Sequence, residues 1–176
     1  MNNTSKPFTT TELCDTIQSQ GERLMDLIDT KIVKLLTQNA RANSSEIADK
    51  VNLSISAVIE RIKKLENNDI IVGYTALLNP AKLGKDVMAL MSVTLEHPKF
   101  NDGFISAVNK NSHITECFYL AGEFDYQLKV ITDNTAMLEK VLNTIKSIAG
   151  VSKTKTNIVL SVTKNERNAA VDVSVE

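Results

Sequence analysis

Several side chains within one short stretch have the types and spacing for contact with a DNA duplex: Ser54, Ser56, Ala57, Glu60, Arg61, Lys63 and Lys64. Serine hydroxyls and lysine ammonium groups grip phosphates, a small residue permits close approach, and arginine addresses guanine edges. Glu60 is the exception, because a carboxylate repels phosphate although it can accept a hydrogen bond from cytosine. On a helix these residues lie opposite an apolar stripe of Ile55, Val58, Ile59, Ile62 and Leu65, spaced by three and four. The same pattern fits an ordinary solvated helix, and periodicity alone leaves the two readings even.

Net charge does not break that tie. Lys31, Lys34, Arg41, Lys50, Arg61, Lys63 and Lys64 are matched by Asp26, Asp29, Glu46, Asp49, Glu60, Glu66 and Asp69, so residues 25–74 carry no net charge. Affinity for DNA would have to come from where the charges lie, and a dimer would be needed to double the phosphate contacts.

The elements that would position this face are legible upstream. Met25, Ile28, Ile32, Leu35 and Leu36 mark one stripe of a support helix over about 26–38. Asn43 can cap a second helix, with Glu46 three residues on as in a capping box. That helix must end near Val51, since Asn52 suits a turn with positive φ and Ser54 can cap a third helix directly after it. Two short helices joined by a tight polar turn form the outline of a helix-turn-helix.

Beyond residue 86 the pattern changes. Val87–Leu95 alternates Val87, Ala89, Met91, Val93 and Leu95 with Met88, Leu90, Ser92 and Thr94, and both faces are apolar enough to need cover. Phe100, Phe104, Ile105 and Val108 mark a short helix, followed by strands over 114–120 and 126–131 joined by a tight connection at 121–125. Met137, Leu138, Val141, Leu142, Ile145 and Ile148 mark a helix that stops at Gly150, where glycine can turn left-handed. Thr154, Thr156, Ile158, Leu160 and Val162 alternate along a last strand. The order β-α-β-β-α-β predicts an α+β chain whose second half is a ferredoxin-like domain, a four-stranded antiparallel sheet with both helices on one face. The other face, left bare, predicts a homodimer.

The runs IDTKIVKLL, SEIADKVNLSISAVIERIKKLE and IIVGYTALLNP, over Leu27 to Pro80, resemble the DNA-binding half of Lrp/AsnC (feast/famine) transcription regulators. Ala121-Gly122-Glu123-Phe124-Asp125-Tyr126 resembles that family's effector loop. The resemblance covers about residues 25–164 and implies a winged helix-turn-helix bound to double-stranded DNA, dimers that read roughly palindromic sites with half-sites about 34–36 Å apart, and assembly to octamers. It also implies an amino acid or similar small metabolite bound between dimers. Leu120, Ala121, Gly122, Asp125 and Tyr126 are then the effector-binding candidates. A glycine lets backbone approach a ligand carboxylate, and Asp125 can pair with an α-ammonium group. Without the resemblance, Gly122 would simply make the turn and Asp125 cap it.

The expected domains are a polar extension over 1–24, the DNA-binding domain over 25–74, a linker strand or hinge over 75–86, the effector and oligomerisation domain over 87–165, and a polar tail over 166–176. No run approaches the roughly 20 apolar residues that span a bilayer, and the first residues lack the pattern of a signal or transit peptide, so a cytoplasmic location is expected. Cys14 and Cys117 have no disulfide or metal spacing, and His97 and His113 read as structural or surface residues. No cofactor motif appears, and no enzyme is expected. Sirohaem decarboxylases share this architecture, but the arginines Arg23, Arg41, Arg61 and Arg167 all lie outside the ferredoxin-like half. An amino-acid sensor without DNA binding is the other alternative, motivated by Glu60 and the neutral first domain.

Overall fold

The first helix, α1 (Leu27–Gln38), starts where Asp26 accepts a hydrogen bond from the Asp29 N–H and the Asp29 side chain accepts one from the Asp26 N–H, a reciprocal capping box. The computed structural model that contains it describes residues 25–165. The second helix, α2 (Ser44–Val51), is capped by Asn43, whose Oδ1 accepts from the Glu46 N–H at 2.8 Å. Glu46 answers through the Asn43 side-chain amide rather than its backbone N–H. Asn52 ends α2 in the left-handed region at φ 54°, and Ser54 caps α3 (Ile55–Asn67) through the Ala57 N–H. The turn residues therefore have the conformations that their types dictate.

Ile32, Val33 and Leu36 of α1, Ile47, Ala48 and Val51 of α2, and Val58 and Leu65 of α3 form the core of this first unit. The expected stripe on α3 needs correction: Ile55 and Ile59 are 50% and 39% exposed. After α3 the chain turns through Asp69 at φ 55°. The N–H groups of Ile70 and Ile71 both reach the Leu65 carbonyl, which seats the two isoleucines on the core.

The described residues divide between Ala76 and Leu77, so the segment 75–86 straddles the boundary. Within it, Ala81–Leu83 forms a single 3-10 turn ending on Gly84.

The second unit runs β1 (Val87–Leu95), α4 (Asn101–Asn109), β2 (Ile114–Tyr119), β3 (Tyr126–Thr132), α5 (Thr135–Lys146) and β4 (Val151–Ile158). Its strands pair antiparallel in the order β2-β3-β1-β4, the ferredoxin-like arrangement. Ala89, Met91, Val93 and Leu95 join Tyr126, Leu128 and Val130 on the face covered by Phe104 and Val108 of α4 and by Leu138, Val141 and Ile145 of α5. Helices and sheet thus bury one apolar layer between them.

The last strand begins earlier and ends earlier than its alternation predicts. Its final bond to β1 runs from the Val159 N–H to the Met88 carbonyl, and β1 itself starts one residue before Met88. Leu160 and Val162 therefore pass beyond any partner strand among the described residues and are exposed. Helix α5 also stops before Gly150, at Lys146, yet Gly150 does take a left-handed conformation at φ 86°. A Cβ there would fall 2.1 Å from Phe100 Cγ, so glycine is required both by the backbone and by the ring against it.

Candidate nucleic-acid interface and effector loop

Rotation along α3 decides which of its side chains can face a duplex. Successive residues turn by about 100°, so Arg61, one turn after Val58 and one before Leu65, shares their inward side. Its guanidinium lies 2.6 Å from Asp26 Oδ2 and 2.6 Å from Asp29 Oδ1. Asp29 is buried, and Arg61 thereby pins α3 to the N-terminal capping box of α1. Burial raises the Asp26 carboxyl pKa, but the Asp29 backbone N–H and the Arg61 guanidinium outweigh it and hold the group below its ordinary range. The two carboxylates in turn raise the Arg61 pKa. Guanine reading by Arg61, as expected from its type, would therefore require breaking both ion pairs.

The other expected DNA contacts lie at the surface. Ser54, Ser56, Glu60, Lys63 and Lys64 are exposed and Ala57 is half-buried. Ser54 Oγ caps α3 and sits 3.1 Å from Ser56 Oγ, so the hydroxyls cluster where the helix N-terminus presents its free N–H groups. That first turn carries no acidic side chain, unlike those of α1 and α2. Tyr74 donates a hydrogen bond to Glu66 Oε1 at 2.9 Å, tying the segment after α3 back to its last turn.

The connection between β2 and β3 is closed by the Leu120 N–H donating to the Asp125 carbonyl at 2.7 Å, while the Asp125 N–H donates to the Val93 carbonyl. Asp125 Oδ2 accepts from the Leu95 N–H at 2.7 Å. That donor is available because Leu95 faces the β3 side of β1 two residues beyond Val93, where pairing with β3 ends at Tyr126. Asp125 therefore holds the loop onto the end of β1. Leu120, Ala121, Gly122 and Glu123 are exposed. Gly122 has no positive φ, and a Cβ added to it would meet no atom of the described residues within 4 Å, so the turn itself makes no demand for glycine. Tyr126 is corrected from a loop neighbour to a core residue: it is 3% exposed, with its ring centroid 4.7 Å from Phe104 and 5.1 Å from Tyr119. Burial, followed by Tyr119 and other neighbours, raises its pKa.

Beside this loop, register places Ser92, Thr94 and Gln127 on the sheet face away from the helices. Ser92 donates to Gln127 Oε1, whereas Thr94 Oγ1 and Gln127 Nε2 are buried without partners among the described residues. At the loop's rim, Lys153 pairs with Glu123 at 2.9 Å and lies over the Phe124 ring. Cys14 and the terminal segments 1–24 and 166–176 lie outside the described residues. Cys117 is exposed on β2, with its thiol pKa raised by desolvation. His97 caps the turn at Pro98–Phe100 through Nδ1, and His113 Nδ1 lies 3.3 Å from the Ile131 carbonyl.

Residues 25–72 match the winged helix-turn-helix DNA-binding family, and residues 88–169 match the Lrp/AsnC ligand binding domain. The chain belongs to the Lrp/AsnC family. It is 32% identical to the leucine-responsive regulatory protein of Haemophilus influenzae over 151 residues, 84% of this chain and 91% of the relative. A transcriptional regulator from Neisseria meningitidis, solved with L-methionine, superposes with TM-score 0.79 at 30% identity, covering 84% of this chain and 97% of the other. The feast or famine regulatory protein of M. tuberculosis, also solved with L-methionine, has TM-score 0.76 at 31% identity, covering 82% and 97%. This Lrp/AsnC chain is a DNA-binding transcription regulator, with its helix-turn-helix in the first unit and its ligand-binding domain in the second. Among the described residues no helix is long and apolar enough to cross a membrane.

The capping box has a local signal in the sequence: Asp26 and Asp29 stand three apart just before an apolar run, which is the signature of such a box. The Arg61 clamp onto it has no such local signal.

Proposed function

We propose that this regulator acts in the cytoplasm as a homo-oligomer, catalyses no reaction, and reports the level of a free amino acid or closely related metabolite to roughly palindromic DNA. The sheet face opposite the helices supports self-association. Leu90 and Phe118 are 39% and 51% exposed there, with Met88 and Ile131 half-buried beside them. A second copy is the simplest cover for such a face, and a dimer would pair two recognition helices. Further assembly, to an octamer, would bring effector loops of different dimers together.

The observation that carries the effector reading is Gly122. None of the described residues occupies the space above it, and its backbone conformation suits any residue. An exposed loop with a bare backbone at its tip can admit a ligand carboxylate between subunits. Asp125, fixed by the Leu95 N–H, offers its charge to an α-ammonium group. The L-methionine bound by two solved relatives supports an amino acid as the class of ligand. Binding would then shift the relative placement of dimers by no more than its differential affinity for the two arrangements.

Calorimetric titration of single amino acids into the parent and Gly122→Val proteins tests this reading. The substitution should leave thermal unfolding unchanged, since space is open around residue 122, and should abolish binding. Equal binding by both proteins would remove the loop from the effector site.

A further inference from the structure

Base reading requires side chains in the first turns of a recognition helix, and α3 presents an unusual set there. Of residues 55–60, Val58 is buried and Ala57 half-buried, which leaves Ile55, Ser56, Ile59 and Glu60 facing out. None of these can donate the paired hydrogen bonds that guanine accepts. Arg61, the nearest side chain able to do so, is held by Asp26 and Asp29. The next cations, Lys63 and Lys64, lie beyond the second turn.

The two isoleucines are not needed by the core. Val58, Ile62 and Leu65 already supply α3's contact with α1 and α2, and the layer is closed by Ile70 and Ile71. Ile55 and Ile59 are one turn apart, with Cβ atoms about 5–6 Å from each other, and form a short branched apolar ridge. In the major groove, the apolar group that such a ridge can meet is the thymine C5-methyl.

We propose that Ile55 and Ile59 are the principal sequence-reading residues of this regulator and that they recognise thymine methyl groups, so that its half-site is specified by thymines rather than by guanines. This rests on the DNA-binding role of the first unit. Burying one methyl against an isoleucine is worth roughly one CH2 transfer, about fourfold in affinity for each thymine contacted. Ser54, Ser56, Lys63 and Lys64 supply phosphate grip, which fixes register without reading sequence.

Deoxyuridine lacks only the C5-methyl, so it isolates this contact. Duplexes selected from a random library by the parent protein would be resynthesised with each thymine replaced singly by deoxyuridine. Anisotropy titrations would compare the parent, Ile55→Ala/Ile59→Ala and Ile59→Val proteins, each checked for helix content and oligomeric state. The parent should lose about fourfold at one or two positions per half-site, Ile59→Val should keep that loss, and the double-alanine variant should bind both duplex types alike. Indifference of the parent to every replacement would overturn the proposal, as would a folded double variant that still discriminates or one whose oligomer dissociates. Failure to select any duplex would overturn the DNA-binding premise together with it.

Discussion

Arg61 Nη1 sits 2.6 Å from Asp29 Oδ1, and the side chain it meets there is only 3% exposed. A residue whose type suits guanine is thus a bolt between the recognition helix and the start of α1.

Arg61→Ala should therefore act through stability. Removing one partner of a fully buried pair costs about 3–5 kcal/mol. Arg61 is 29% exposed, so a loss of about 2 kcal/mol in urea unfolding is expected. DNA affinity should fall by a similar factor on all duplexes, because α3 is misplaced rather than deprived of a base contact. Loss confined to guanine-containing sites would contradict the inward placement.

The neighbouring Asp26–Arg61 pair sets an acid limit. The Asp26 carboxyl is held below its ordinary value of 3.8 in the folded chain, so its stabilising contribution is present above that pH and is lost as pH falls through the lower folded value. The parent should weaken below about pH 4 more steeply than Asp26→Asn, measured by chemical unfolding at stepped pH. Parallel profiles would remove Asp26 from the acid response.

At the other extreme, burial and the Glu66 hydrogen bond push the Tyr74 hydroxyl up to about 12. A raised folded value means stability held below the unfolded value of 10.0 and lost on going up through about 12. Ultraviolet difference titration of the parent against Tyr74→Phe should isolate one tyrosinate forming near pH 12, and a difference centred near the ordinary value of 10.0 would show that the Glu66 contact is not maintained.

Asp125 holds the Leu95 N–H and is also proposed to meet an effector's ammonium group. Asp125→Asn keeps an acceptor and removes the charge, so unfolding should change by less than about 1 kcal/mol while the amino-acid response disappears. Asp125→Ala should lose both. A full response in the asparagine variant would leave Asp125 with only its structural task.

Gly150→Ala should destabilise the second unit by about 2–4 kcal/mol, combining the cost of positive φ with displacement of the Phe100 ring. Thermal unfolding of the variant measures it. A change under about 0.5 kcal/mol would mean that Phe100 moves aside freely.

Local chemistry makes most of the fold legible in the sequence. Asn43, Asn52 and Ser54 act through their own backbone neighbourhood, and each has the role its type suggests. The uninterrupted alternation of β1 marks both of its ends. What local pattern does not carry is any feature that needs a distant partner. Nothing between residues 54 and 67 reveals that Asp26 and Asp29 will meet Arg61, so a flank position on the helical wheel reads as outward. The end of β4 depends on where β1 starts, and the depth of Tyr126 depends on Phe104 and Tyr119. For the loop, the motif locates Gly122 and Asp125, but the Leu95 contact arises because β1 runs two residues past the start of β3, which alternation does not encode.

The most direct test of a regulator that couples an amino acid to DNA is a gel-shift titration on duplex DNA from upstream of its own gene, with random duplex as competitor, with and without a mixture of the twenty amino acids. Specific complexes that weaken steeply with salt and change with the mixture are the expected result. Absence of any specific complex at low salt in both conditions would contradict the account.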